Sequence, residues 1–188
     1  MTSIAVIGSG TIGSTIGEAW RRAGHEVVYA SRSPQSPRTV AIADAIAGAE
    51  AVLLATPGAA VPELLASHGD ALDGRLVIDA TNDVGGERLH HAEAYAEHAP
   101  GARLARAFNT LGFEMFADPS VGGEVVDLFW CGPDDAGVEG LIADVGLRPV
   151  RVGGIDVIDV VDGVGRLWLT LVFREGHPRR LAFRMLVD

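Results

Sequence analysis

Three glycines near the start of the chain have the spacing of a turn that holds a phosphate. Gly8, Gly10 and Gly13 form GSGTIG between an apolar run and residues with helical periodicity. In such a turn the first glycine allows the tight bend, the second admits a pyrophosphate and the third lets helix and strand pack closely. The helix N-terminus adds N–H groups and positive potential. The pattern predicts a dinucleotide-binding turn made of Gly8, Ser9, Gly10, Thr11, Ile12 and Gly13.

The end of the second predicted strand indicates which dinucleotide would bind. An acidic residue there accepts hydrogen bonds from the adenosine ribose, but this chain has Ser31 and Arg32 instead. A hydroxyl and a guanidinium suit a 2′-phosphate, so this pair favours NADP or NADPH over NAD. Arg38 follows one short loop later and is a second candidate for the same phosphate. The alternative for both arginines is a solvated surface charge.

Short apolar runs alternate with longer segments of helical periodicity, as in a fold that builds such a turn. Nearly continuous apolar runs indicate parallel strands that are covered on both faces. The alternation predicts an α/β fold, a Rossmann-type doubly wound and mainly parallel sheet, over residues 1–154. Residues 155–188 are predicted as a small helical C-terminal extension, packed on this domain or on a partner subunit. The predicted strands are 4–7, 26–30, 51–55, 76–80, 104–108, 125–131 and 148–152, and the predicted helices are 11–23, 38–47, 61–68 and 86–98.

Ligands of open α/β sheets bind at the carboxyl ends of the strands, which selects further site residues. Ala55, Thr56 and Pro57 follow the third predicted strand and are expected to line the cofactor path. Asn82 and residues 107–110, with Ala107 and Asn109, are expected to form the floor near the nicotinamide. Thr56 and Asn109 are candidate positioning residues. The alternative for both is a side chain that only ties down its own loop by hydrogen bonds.

Composition narrows the classes of function. The 188 residues are 48% hydrophobic and 21% charged, and their formal net charge of −10 argues against nucleic acid or an anionic membrane as partner. All 15 basic residues are arginine, so the chain offers no lysine for a Schiff base or as a general acid. A single cysteine, Cys131, fits a reducing cytoplasm. We expect a cytoplasmic protein with small-molecule substrates and no membrane span.

Two groups of polar residues resemble metal ligands and are predicted not to bind metal. His90 and His91 are adjacent in a predicted polar helix, where neighbours point about 100° apart, so a solvated face is expected. Asp156, Asp159 and Asp162 recur every third residue and are interpreted as the polar stripe of an amphipathic helix.

The chain resembles the NADPH-dependent F420 reductases, also called F420H2:NADP oxidoreductases. The resemblance is carried by GSGTIG, Ser31-Arg32, LLATP (53–57), VIDATND (77–83), ARAFNTLGFEMFADP (105–119) and FWCGPDDAG (129–137). It implies a Rossmann-type domain with a small helical C-terminal part, often dimeric. It also implies hydride transfer between NADPH and the 8-hydroxy-5-deazaflavin coenzyme F420, which needs ring positioning more than a strong acid or base.

Two alternatives stay open beside this resemblance. The first is NADPH-dependent reduction of another acceptor, such as a flavin, quinone, ferric chelate or imine. The second is an NADPH-binding module without catalysis. A 3-hydroxyacid dehydrogenase is disfavoured because that chemistry relies on a lysine. Four arginines near the C-terminus, Arg174, Arg179, Arg180 and Arg184, are expected to form a subunit contact or a solvated face, or else to hold the acidic tail of F420.

Overall fold

The computed structural model describes residues 1–32 and 39–188, and in these ranges the predicted alternation forms one large sheet with helices on both faces. The strands of that sheet are β1 Ser3–Ile7, β2 Glu26–Ala30, β3 Thr39–Val40, β4 Ala51–Leu54, β5 Leu76–Asp79, β6 Arg103–Arg106, β9 Asp127–Cys131 and β10 Arg148–Gly153. A separate hairpin pairs β7 Ser120–Val121 with β8 Glu124–Val125. The helices are α1 Thr11–Arg22, α2 Ile42–Ala47, α3 Val61–His68, α4 Ala92–His98, α5 Phe113–Ala117, α6 Ala136–Asp144 and α7 Ile158–Phe173.

The order of the strands confirms the predicted doubly wound sheet. The order is β10-β9-β6-β5-β4-β1-β2-β3, and the pairs from β3 to β6 are all parallel. Strand β9 runs antiparallel to β6, and β10 runs parallel to β9. The chain leaves β1 toward β2 and later crosses back to β4 on the other side of β1. The carboxyl ends of β1 and β4 therefore flank the switch point at which such sheets bind ligands.

Two apolar layers hold the sheet between its helices. Every residue of β4 and β5 is buried, as the continuous apolar runs predict. On one face Trp20 of α1 is fully buried, and its indole Nε1 donates to the carbonyl oxygen of Leu141 in α6 at 2.8 Å. On the other face Ile46 of α2 and Leu65 of α3 pack in a second core cluster. The two layers fix the strand ends that carry the site.

Several predicted boundaries were wrong. The predicted helix 86–98 begins only at Ala92, because residues 84–89 form turns and bends around Gly85 and Gly86. The predicted helix 38–47 begins at Ile42, after the short strand β3, and its first residue lies outside the described ranges. The short helices α5 and α6 were not predicted, because five to nine residues carry too little periodicity.

The C-terminal region is helical only in its first half. Helix α7 ends at Phe173, and residues 174–188 have no helix, which corrects the prediction of a helical segment to the end. This tail packs on its own chain. The backbone N–H of Met185 donates to Asp127 Oδ2 at 2.7 Å, and Arg148 Nη2 donates to the carbonyl oxygen of Met185 at 2.7 Å. In the described part of the chain, no helix has the length and apolar character to cross a bilayer.

Candidate cofactor-binding site

The turn between β1 and α1 is built so that only glycine fits at its first position. Gly8 has φ of 108°, and its N–H donates to the carbonyl oxygen of Ala30 at 3.1 Å. A Cβ at Gly8 would lie 2.5 Å from the carbonyl oxygen of Ala55, and one at Gly13 would overlap the carbonyl oxygen of Gly8. The turn is therefore pressed against the end of β4, as the motif predicts.

Unlike Gly8 and Gly13, Gly10 faces open space. Its φ of −69° suits any residue, yet no heavy atom lies within 4 Å of where a Cβ would be. Ser9, Gly10 and Thr11 are exposed, and α1 has neither a side-chain cap nor an acidic residue in its first turn. The free N–H groups at this helix start are thus available to an anion, and Ile12 lies half-buried behind them.

A cavity of about 410 Å³ opens beside this turn. Its size is in the range of small-molecule sites. Apolar side chains of α2, of α3 and of the segment leading into α3 line it, and the exposed side chains of Arg32 and Glu63 lie at its mouth. The lining residues are Ile7, Gly8, Ser31, Arg32, Ala41, Ile42, Ala43, Thr56, Pro57, Ala60, Glu63, Leu64, Ser67 and His68.

The two residues predicted to select the cofactor both line this cavity. Ser31 is half-buried and Arg32 is exposed, directly after β2. Arg32 Nη1 lies 3.5 Å from Glu63 Oε2 of α3, and the two side chains are 73% and 77% exposed. A guanidinium so exposed can turn toward a ligand at little cost. Arg38 lies outside the described residues.

The loop after β4 joins the turn to the neighbouring loop after β5. The N–H of Ala55 donates to the carbonyl oxygen of Ile7 at 2.9 Å, and Thr56 and Pro57 line the cavity. A Cβ at Gly58 would overlap the backbone N of Asp83, so the two loops are in close contact. The buried Oγ1 of Thr56 makes no hydrogen bond to the described residues. Ala55, Thr56 and Pro57 are therefore brought together with the glycine turn.

A buried ion-pair network lies beneath the loop after β5. Arg106 is fully buried, with its Nε 2.8 Å from Asp162 Oδ1 and its Nη1 3.2 Å from Asp79 Oδ1. Its Nη2 donates to Asn82 Oδ1 at 3.0 Å, and Asn82 Nδ2 donates to the carbonyl oxygen of Asn109 at 2.9 Å. Both ends of the Asn82 amide are thus fixed. The sequence analysis missed Arg106, although a charged residue inside an apolar strand was a usable signal.

The segment after β6 supports the site from below. Ala107, Phe108, Asn109 and Thr110 are all buried. Phe108 has φ of 63°, which is unusual for a non-glycine residue, and its ring packs edge-on against Trp20 and Phe116. Asn109 Nδ2 donates to Asp162 Oδ1 at 2.8 Å. These contacts favour the alternative in which the Asn109 amide ties its loop to α7.

Two expectations of solvated polar residues were wrong. Asp162 is 3% exposed because it is the partner of Arg106, and it does not belong to an exposed stripe. His90 is 3% exposed and precedes α4, with its Nε2 3.1 Å from Asp159 Oδ1. His91 Nε2 lies 3.3 Å from Asp83 Oδ2. In the ranges that the structure describes, no three His, Cys, Asp or Glu side chains are grouped as a metal site would require.

Burial raises the pKa of two ionisable groups near this network. Desolvation raises the pKa of Tyr95 well above its usual value, and the charge of Asp79 raises it further. Burial also raises the pKa of the Cys131 thiol to about 12. Neither group supplies a phenolate or a thiolate at neutral pH.

The C-terminal arginines are held within the chain. Arg179 pairs with Glu114, Arg180 with Asp118 and Arg184 with Glu124. The Arg179 guanidinium also lies 5.5–5.6 Å from the ring centres of Phe113, Trp168 and Phe173. Three of the four arginines therefore anchor the tail, an arrangement that the sequence analysis did not consider.

A family model and a solved structure are similar to this chain. Residues 3–83 match the family model described as NADP oxidoreductase, coenzyme F420-dependent. A proposed F420-dependent NADP reductase from Arthrobacter sp. FB24 is similar over 100% of both chains, with 26% identity and a TM-score of 0.83.

More distant solved structures share the fold. The imine reductase from Aspergillus terreus, in complex with NADPH4 and dibenz[c,e]azepine, has 20% identity and a TM-score of 0.63 over 94% of this chain and 67% of its own. Pyrroline carboxylate reductase from Plasmodium falciparum, with NADP bound, has 11% identity and a TM-score of 0.58 over 95% and 71%. The resemblance seen in the sequence is confirmed over residues 3–83, which match the family model of coenzyme F420-dependent NADP oxidoreductases, and the Arthrobacter protein shares the fold over the whole chain.

Proposed function

We propose that this chain transfers a hydride between NADPH and the deazaflavin coenzyme F420. One observation carries the NADPH part of this proposal: the glycine turn, with open space at Gly10, lies beside a cavity that Gly8, Ser31 and Arg32 line. The deazaflavin half is supported by the match of residues 3–83 and by the Arthrobacter protein of the same extent.

The residues present fit NADPH from one end to the other. The N–H groups after Gly10 would bind the pyrophosphate, and Ser31 and Arg32 the 2′-phosphate. The apolar walls at Ile42 and Leu64 would hold the adenine. Thr56, with its unpartnered buried hydroxyl, and Asn82, with its fixed amide, would then flank the nicotinamide.

The side chains around the strand ends suit positioning more than proton transfer. NADPH supplies a hydride with its two electrons, and a deazaflavin accepts it together with one proton from solvent. The ionisable groups beneath the site, Asp79, Arg106 and Asp162, are paired with one another. Their chemical role is to hold Asn82 and the segment after β6 in place, which limits the motion of a ring bound above them.

The direct test is anaerobic mixing of the purified protein with NADPH and oxidised F420, followed at the visible absorbance of the deazaflavin. Loss of that absorbance, at a rate proportional to the protein concentration, supports the proposal. Binding of NADPH without bleaching contradicts the deazaflavin half. Oxidation of NADPH by a flavin, quinone, ferric chelate or imine would then favour a different acceptor, and no oxidation would favour a binding module.

We also propose how the C-terminal region packs and how the chain assembles. Residues 155–188 act as an extension packed on the domain of residues 1–154, which is supported by the contacts of Asp162 with Arg106 and of Met185 with Asp127. A homodimer in the cytoplasm stays a prediction, which sedimentation of the purified protein and fractionation of cells would test.

A further inference from the structure

An acidic residue lies beside Arg32, the arginine that favours NADPH, at the mouth of the cofactor cavity. Glu63 lies in the first turn of α3, and its Oε2 is 3.5 Å from Arg32 Nη1. Both side chains line the same cavity. We propose that Glu63 is a specificity-determining residue that lowers the preference of this site for NADPH over NADH, an inference that rests on the proposed function.

Glu63 and the 2′-phosphate of NADPH would compete for one guanidinium, that of Arg32. A 2′-phosphate that binds Arg32 must either displace Glu63 or share the guanidinium with it. If it is shared, the carboxylate and the phosphate lie on the same cation, within about 4–6 Å of each other, where like charges disfavour the ionised forms. In either case Glu63 makes NADPH bind more weakly than Arg32 alone would allow.

Glu63 would affect NADH, which has no 2′-phosphate, in the opposite way. A free 2′-hydroxyl is a hydrogen-bond donor, and a carboxylate accepts such bonds. Sites that bind NAD place an acidic residue after the second strand for this purpose. In this chain that position is taken by Ser31 and Arg32, but Glu63 of α3 brings a carboxylate to the same cavity, beside Arg32.

Glu63 supplies the negative charge among the described residues that line the cavity. Among the described residues that line it, Glu63 is the acidic one, while Arg32 and His68 are the basic ones. The side chain of Glu63 is 77% exposed and has no other ion-pair partner in the described ranges. Its replacement therefore alters the charge at the mouth without removing a packed group.

The test compares Glu63→Gln with the native protein by fluorescence titration with NADPH and with NADH. Asp70→Asn is the matched control, because Asp70 is an exposed acid just beyond α3 that does not line the cavity. We expect Glu63→Gln to lower the Kd for NADPH by about two- to fivefold, as for one exposed charge pair. The Kd for NADH should stay the same or rise, and the control should change neither.

Salt provides a second measurement of the same inference. The gain of Glu63→Gln should shrink in about 0.5 M salt, because exposed charges are screened. A Glu63→Gln protein that binds NADPH no tighter than the Asp70→Asn protein overturns the inference, as does a gain that salt leaves unchanged. If the native protein binds NADPH but does not bleach F420, only the deazaflavin half of the proposed function fails. If it binds no NADPH at all, both fail.

Discussion

Arginines stand at two regions of this molecule, and their surroundings give them different roles. Arg32 pairs with Glu63 at the mouth of a 410 Å³ cavity, where both side chains are mostly exposed. Arg179 instead lies among three aromatic rings and pairs with Glu114, and its neighbours Arg180 and Arg184 are paired in the same way. An arginine beside open space can bind a ligand, whereas one whose contacts are completed by its own chain stabilises the fold.

The same difference extends beyond the arginines. The turn at Gly10 leaves its N–H groups and the volume around them free. In the C-terminal region, Asp162 Oδ1 of α7 instead accepts hydrogen bonds from Arg106 and Asn109. We therefore expect substitutions in the first region to change binding, and substitutions in the second to change stability.

The largest expected effect is on the buried pair in the C-terminal region. Asp162→Ala removes the carboxylate beside Nε of the buried Arg106, while Asp79 stays beside Nη1, and we expect a loss of about 3 kcal/mol of unfolding free energy. Denaturant titration measures this, with Asp162→Asn as a milder variant if the first does not fold. The control is Asp156→Ala, which removes an exposed carboxylate just before α7, with an expected loss of about 0.5 kcal/mol or less. Equal losses in the two alanine variants would contradict the role given to the network.

The next effect is on binding, at the glycine turn. Gly10→Ala adds a methyl group where the protein itself has no atom within 4 Å, so stability should fall by no more than about 1 kcal/mol. The pyrophosphate would meet that methyl group, and we expect the Kd for NADPH to rise at least about tenfold. Titration with NADPH and thermal unfolding of the same sample measure both quantities. A variant that binds NADPH normally would show that the pyrophosphate does not approach Gly10.

A smaller effect is expected from the tail. Replacing Arg179 and Arg180 together with alanine removes two partly exposed ion pairs and the contacts of Arg179 with three aromatic rings, for a total of about 1–2 kcal/mol of stability. The Kd for NADPH and the KM for F420 should each stay within about twofold, since these arginines already have partners. A KM for F420 that rises strongly and depends on salt would instead assign this group of arginines to the acidic tail of the coenzyme.

The smallest effect is expected at Cys131, which reports on the packing of α7. The buried thiol contacts Ile158 and Val161, and its pKa of about 12 keeps it protonated at about pH 8. The folded protein favours the neutral thiol, so the contribution of Cys131 to the free energy of unfolding is complete below the usual thiol pKa. That contribution is lost as the pH rises toward the raised pKa of about 12. Labelling by a thiol reagent should be slow in the native protein and faster in Asp162→Ala. Rapid native labelling would mean that α7 opens readily.

The sequence predicted the parallel part of the sheet because the rules there are local. Continuous apolar runs and one glycine turn define β1, β2, β4 and β5 to within a residue or two. The buried network could not be predicted in the same way. Asp162 follows Arg106 by 56 residues, and the three-residue spacing of acids in α7 gives no sign that one of them is turned inward. The Glu63 partner of Arg32 was missed for the same reason, since only the fold brings α3 beside the end of β2.

Arg32→Ala shows whether Arg32 at the cavity mouth recognises the 2′-phosphate of NADPH. Titration of the native and variant proteins with NADPH and NADH gives four dissociation constants. We predict that the Kd for NADPH rises about tenfold or more, as for a lost charge-assisted hydrogen bond, while the Kd for NADH changes less than about twofold. An unchanged ratio of the affinities for NADPH and NADH would show that Arg32 does not recognise the 2′-phosphate.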